Sequence, residues 1–124
     1  VRVGVRLKRI YEPPEPDDGY RVLIDGMWPR GVAKADAHLD EWARDLAPSR
    51  ELRTWFGHKP ERFQEFRTRY RRELEGHADH LAQLRERAAS SPLTVLYAAR
   101  DTEHNNAVVV GELLRSSRGR SRDR

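Results

Sequence analysis

The residues with chemical potential collect in two short stretches. One is Asp25-Gly26-Met27-Trp28-Pro29-Arg30-Gly31, and the other is Ala99-Arg100-Asp101-Thr102-Glu103-His104-Asn105-Asn106. Arg30 and Arg100 offer planar, bidentate donors that match a phosphate or a carboxylate. His104, Asn105 and Asn106 stand where a helix should begin, and free N–H groups and the helix dipole favour an anion there. Asp25 ends an apolar run, so its carboxylate needs a cationic or N–H partner, or else holds its proton more tightly. Trp28 and Tyr97 would wall the same pocket. Asp25 and His104 are the acid–base candidates if the site does chemistry. The ligand this pattern points to is an anionic small molecule, a nucleotide, sugar phosphate or carboxylate, with no metal and no cofactor.

Two strands must carry these loops. Tyr20 to Asp25 (YRVLID) has a nearly continuous apolar centre, and Leu93 to Ala98 (LTVLYA) is the strongest strand signal in the chain. Val1 to Tyr11 alternates apolar and basic residues with period two, which predicts a half-buried strand, either parallel or antiparallel at an edge. EPPEPDDG, residues 12–19, reads as a surface loop.

From Asp36 to about Glu75 the period becomes helical. Leu39, Trp42, Ala43 and Leu46 share one predicted helix face, which Pro48 ends. Ser49 is the expected N-cap of a second helix that stops at Gly57. Pro60 opens a third, whose stripe is Phe63, Phe66, Tyr70 and Leu74. His77 to Ala89 follows with Leu81, Leu84 and Ala88 inward. A last helix runs from about His104 to Leu114, capped by Asp101 or Thr102. A long helical crossover between the second and third strands is what parallel neighbours require. The prediction is a single small α/β domain over residues 1–114, with a mostly parallel sheet of about three strands covered by helices in Rossmann-like layering. Loops that follow parallel strands meet at their carboxyl ends, where such sheets bind ligands.

Composition narrows the classes. The chain of 124 residues contains no cysteine, which removes thiolate nucleophiles, disulfides and zinc–thiolate sites. Its net charge of +4 is concentrated: residues 115–124 hold five arginines against one aspartate, and the rest is balanced. That stretch has nothing to bury and reads as a disordered tail. Nucleic acid is therefore expected as a partner only through the tail. No apolar run approaches the roughly 18 residues of a membrane span, and the start lacks a signal-peptide pattern, so a cytoplasmic, non-membrane protein is the expectation. The apolar stripes are accounted for by one core and leave the oligomeric state open.

Several constellations have plainer explanations. Asp25 with Arg30 or Arg100 also reads as a structural ion pair, Trp28 as a packing lid, His104 as a surface residue and the two asparagines as local backbone partners. Trp42, Trp55, Phe56, Phe63 and Phe66 read as core. GMWPRGVAK lacks the phosphate-loop pattern, and no G-x-G-x-x-G or G-x-S-x-G occurs. His77, Asp79 and His80 lack a third ligand at a diagnostic spacing and read as a solvated helix start.

GYRVLIDGMWPRG, LDEWARDLAPSRELRTWFGH, RFQEFRTRYRRELEG and PLTVLYAARDTEHNNAVVVGELL, in that order from Lys8 to Leu114, resemble the YeaO-like branch of domain-of-unknown-function family 488. The resemblance implies no particular activity, but it places the family's most distinctive residues in the two loops. Other branches carry a cysteine in the third strand and a Cys-His-Arg cluster at the next helix start. This chain has Leu96-Tyr97-Ala98 and His104-Asn105-Asn106 there. The resemblance also leads one to expect an arginine where Gly26 stands. Three functions remain open from sequence: an anion-binding domain, a nucleic-acid module acting through the tail, and a structural or interaction protein.

Overall fold

The computed structural model describes residues 4–115. Strands β1 (Val5–Arg9), β2 (Tyr20–Leu23), β3 (Glu41–Trp42) and β4 (Leu93–Tyr97) form one sheet in the order β1-β4-β2-β3. Every pairing is parallel, with β1 at an edge against β4 (Val5↔Leu93 to Arg9↔Tyr97) and β2 on its other side (Tyr20↔Leu93 to Leu23↔Leu96). A single helical turn, α1 (Lys34–Ala37), precedes β3. Helices α2 (Arg50–Phe56), α3 (Phe63–Leu74) and α4 (Ala78–Ser90) then carry the chain to β4, and α5 (Asn106–Arg115) follows it. The protein is thus a small α/β domain with a short parallel sheet and Rossmann-like layering.

Strand alternation sorts the side chains into two cores. Val22, Ile24, Leu93, Val95 and Tyr97 face α2 to α5 and join Phe56, Phe63, Phe66, Tyr70, Leu74, Leu81, Leu84 and Val110 in the larger one. Gly111 of α5 lies so close to the sheet that a Cβ there would stand 2.8 Å from Leu7 Cδ2. Leu23, Leu96 and Ile10 face the other way into a smaller core completed by Ala37, Trp28, Leu39 and Trp42. Helices therefore cover one face, while α1 and irregular segments cover the other.

Ser49 accepts a hydrogen bond from the Leu52 amide, and Gly57 closes α2 with φ 54°. These are the predicted cap and stop. The stretch after Asp36 departs from prediction. Leu39 and Trp42 enter the smaller core, whereas Ala43 and Leu46 enter the larger. One helix face cannot serve both sides of a sheet. The chain instead turns at His38 (φ 49°), where Arg21 donates to the carbonyls of Ala37 (2.8 Å) and His38 (3.0 Å). The edge of β2 is then paired: the Asp40 carboxylate accepts the Arg21 N–H (2.9 Å), the Asp40 N–H donates to the Arg21 carbonyl (2.9 Å), and the Ala43 N–H donates to the Leu23 carbonyl (2.8 Å). Backbone groups left unpaired along β2 would have cost more than a lost helical turn. A short 3-10 turn, Arg44–Leu46, follows.

The proline-rich loop is also more than a surface connection. Its 3-10 turn Pro16–Asp18 sends Asp18 completely inside. The carboxylate accepts hydrogen bonds from Lys8 Nζ of β1 (3.0 Å), Arg21 Nη1 of β2 (2.5 Å) and the Glu15 amide (3.0 Å). Thr94 Oγ1 of β4 donates to the Asp18 carbonyl at 2.7 Å. Burial pushes the Asp18 carboxyl up, but the amide and the two cations outweigh it and hold it below the usual range.

The final helix starts at Asn106, two residues later than expected. Asn105 is its cap: Oδ1 accepts the Val108 N–H (3.0 Å). Arg115, assigned to the tail by composition, is the last residue of α5, and its guanidinium donates to the Val5 carbonyl at 2.7 Å. The expected disordered tail otherwise falls on residues 116–124, outside the described residues.

Candidate functional site

The two loops do face one another. They form one cavity of about 780 Å³ at the carboxyl ends of β2 and β4, within the size range of small-molecule sites. Asp25, Trp28, Arg30, Arg100, Asn105 and Asn106 all line it. His104 and Tyr97 do not. The His104 ring stands edge-on to Phe63 at 5.3 Å and its Nδ1 meets Asp101 at 3.0 Å, whereas Tyr97 is 3% exposed within the larger core.

Asp25 lies just beyond β2, next to Ile24, whose amide still bonds the Leu96 carbonyl (3.2 Å). Its carboxylate accepts the Ala98 amide (2.9 Å) and Asn106 Nδ2 (2.9 Å), and its carbonyl accepts Trp42 Nε1 (2.7 Å). One residue thereby fastens the ends of β2 and β4, β3 and the start of α5. Burial pushes the Asp25 carboxyl above the usual range. The bonds from Asn106 and Ala98 oppose that, as do the charges of Arg53 and His58, without cancelling it.

Trp28 Nε1 donates to the Val32 carbonyl (2.6 Å), and the ring meets Trp42 in a T-shaped contact at 5.2 Å. This packing fixes the loop that presents Arg30, whose carbonyl accepts the Tyr11 hydroxyl (2.9 Å). Across the cavity, Asp101 accepts the amides of Glu103 (2.9 Å) and His104 (3.1 Å). The Glu103 amide, with the His104 ring and amide, holds the Asp101 carboxyl below the usual range. Asn105 is spent on structure at both ends, since its Nδ2 donates to the Asp101 carbonyl (2.7 Å) while Oδ1 caps the helix. Asn106 divides its amide between Asp25 and a weak 3.5 Å contact to the Ile24 carbonyl.

Residues that the sequence did not single out complete the cavity. Phe56 and Phe66, read there only as core, present an apolar wall, and Arg53 and His58 line the rim, Arg53 as a further guanidinium. Arg53 precedes Phe56 by one helical turn, a spacing with no motif in it. Only the packing of α2 against α3 brings it to the strand ends. The guanidinium groups of Arg30, Arg53 and Arg100 make no ion pair within 4.0 Å among the described residues, although the Arg53 charge is felt by Asp25. Charged donors without a close ion pair, above an apolar wall and a polar floor, suit a ligand with an anionic group and an apolar or ring-bearing body. Among the described residues no serine, threonine or cysteine lines the cavity.

The fold and this crevice define a class: a small parallel α/β domain with a ligand-sized cavity at its strand ends, lined by no Ser, Thr or Cys nucleophile among the described residues. The chain belongs to the family described as the inactive DUF488-N3 subclade, whose model matches residues 4–123. It is 46% identical over 110 residues to the uncharacterized protein Rv3073c of Mycobacterium tuberculosis, covering 89% of this chain and 92% of that one. It is 42% identical over 114 residues to the uncharacterized protein YeaO of Escherichia coli, covering 92% and 99%. No solved structure matches the chain. Among the described residues no helix is long and apolar enough to cross a membrane, and no group of three or more His, Asp or Glu is arranged to hold a metal ion.

Proposed function

We propose that the protein binds an anionic small molecule, a nucleotide or a sugar phosphate or carboxylate, in the cavity between the loops after β2 and β4. Arg30, Arg53 and Arg100 hold the anionic group at the rim, and the backbone N–H groups at the first turn of α5, from Asn106 on, supply donors below it. Phe56, Phe66 and Trp28 cover the apolar part of the ligand. The observation that carries this reading is the trio of guanidinium groups around one cavity that make no ion pair within 4.0 Å among the described residues.

Binding is favoured over turnover. Two of the Asp25 carboxylate's hydrogen-bonding positions already fasten strand ends, His104 is turned onto Phe63, and the subclade is described as inactive. The test is calorimetric titration with AMP, glucose 6-phosphate and citrate, on the wild type and on Arg100→Ala. Losing one charged, bidentate contact removes about 1.5–3 kcal/mol, so the affinity for the ligand that binds should fall about 10- to 150-fold. Unchanged affinity in Arg100→Ala, or no binding of any of the three at millimolar concentration, refutes the reading.

A further inference from the structure

A second cluster lies away from the cavity, where α4 meets the edge of the sheet. His80 Nδ1 is 2.7 Å from Asp45 Oδ2, and its Nε2 is hydrogen-bonded to Glu41 Oε2. A neutral imidazole has one N–H and one lone pair, so it can donate to only one of these carboxylates and must turn its lone pair on the other. The doubly protonated ring satisfies both. Burial opposes the charge, but the hydrogen bonds to Asp45 and Glu41 outweigh it and raise the ring above its ordinary value of 6.5.

The other groups facing the cluster are accounted for. The Tyr20 hydroxyl of β2 donates to the second oxygen of Glu41 (2.8 Å), and the Arg87 guanidinium covers the Tyr20 ring at 3.8 Å. His77 Nδ1 lies 3.6 Å from Asp45, and Glu75 and Asp79 line the same surface hollow. Carboxylates outnumber cations around the ring.

What the ring holds matters more than the ring. Glu41 belongs to a strand of two residues, and the other residue is Trp42. Trp42 donates to the Asp25 carbonyl (2.7 Å), touches Trp28, and lies under the Arg44 guanidinium at 4.7 Å. Asp45 sits in the following 3-10 turn, and Pro48 lines the cavity. Segment 41–48 therefore runs from the sheet edge to the cavity, which it reaches at Pro48, and its outer side is hydrogen-bonded to α4 through the His80 imidazole.

We propose that His80 is a proton-operated clamp: its imidazolium pins segment 41–48 to α4, and loss of the proton loosens that segment around Trp42. The inference goes beyond anion binding and does not depend on it.

The test is an NMR titration of the histidine rings and tryptophan indole N–H groups of the full chain from pH 5.5 to 9. In the wild type the His80 ring titrates above pH 6.5, and the Trp42 indole resonance moves with the same midpoint. In His80→Gln the Trp42 resonance stays still over that interval. Glu41→Gln, which leaves Asp45 as the one carboxylate in contact with the ring, lowers both midpoints together and decides the matter should His80→Gln fail to fold. The clamp is overturned if wild-type His80 titrates at or below 6.5, if the Trp42 resonance is static in the wild type, or if its movement persists in His80→Gln. An unchanged midpoint in Glu41→Gln also overturns it.

Discussion

Asp18→Asn is the sharpest perturbation of the loop-covered face. The substitution keeps shape but removes the negative charge between two buried cations, Lys8 and Arg21 (8% and 4% exposed). Removing one member of a buried ionic cluster costs about 3–5 kcal/mol, because the remaining charges stay desolvated. The structure places this case at the lower end. Lys8 keeps Glu15 at 3.2 Å, and Arg21 keeps the carbonyls of Ala37 and His38. A loss of about 3 kcal/mol lowers the midpoint of a chain this size by about 10 °C. Urea and thermal unfolding at pH 7 read this directly.

The pH dependence adds an independent check. A carboxyl held below its unfolded value stabilises the fold at pH above that value, and the benefit is lost as pH falls through the folded pKa. The gap between wild type and Asp18→Asn is therefore constant from pH 8 to 5 and narrows as acid protonates wild-type Asp18. Lys8→Met combined with Asp18→Asn should cost less than the sum of the two single changes, because the orphaned ammonium is gone. A loss under about 1 kcal/mol in Asp18→Asn at pH 7, or strict additivity in the double variant, would refute the argument that these charges depend on one another.

Three further outcomes follow from local geometry. Gly19 has φ 66° and ψ −132°, and a Cβ there would meet the Pro92 carbonyl oxygen at 2.2 Å, so Gly19→Ala should destabilise by about 2–4 kcal/mol in urea unfolding. Tyr70→Phe removes the buried hydroxyl that donates to the Leu46 carbonyl and should cost about 1–2 kcal/mol by the same assay, with the helical circular dichroism unchanged. Asp25 has a carboxyl raised by burial, so its ionised form is destabilising. Relative to Asp25→Asn, the wild type gains stability as pH falls through the raised folded value towards 3.8, and parallel stability–pH curves would disprove that placement of the charge.

The sequence made most of the larger core legible because its elements obey one period each. Phe63, Phe66, Tyr70 and Leu74 follow a helix, and Leu93 to Tyr97 a buried strand. It misled at Leu39, Trp42, Ala43 and Leu46, where helical spacing arose from residues that serve opposite faces of the sheet. Edge pairing with β2 decided that segment, and edge pairing leaves no pattern in a two-residue strand. Asp18 was hidden for a related reason. Three prolines and four acids describe a solvated loop by composition, and its buried partners Lys8 and Arg21 read as the polar sides of two strands. In the cavity, the loop residues were visible because glycine, proline and the strand ends mark them. Arg53 and His58 were not, since only the packing of the crossover helices aims them there.

The sidedness of the sheet explains why the cavity and the buried ions belong to one problem. Helices cover one face and supply apolar contact along whole stripes. The other face is covered by residues 12–18 and by α1 with its flanking loops, which have little regular backbone pairing of their own. Such a cover needs polar fastening. Asp18 supplies it on one side through Arg21, which holds the carbonyls of Ala37 and His38 ahead of β3. Asp25 supplies it on the other, through Ala98, Asn106 and Trp42. The groups that form the floor of the cavity are thus the same groups that close the ends of the strands, and that work is independent of any reaction. A crevice built this way keeps its shape in a chain without a cysteine nucleophile. The arginines at its rim make no such ion pair among the described residues, and the anion we propose is what would give them a partner.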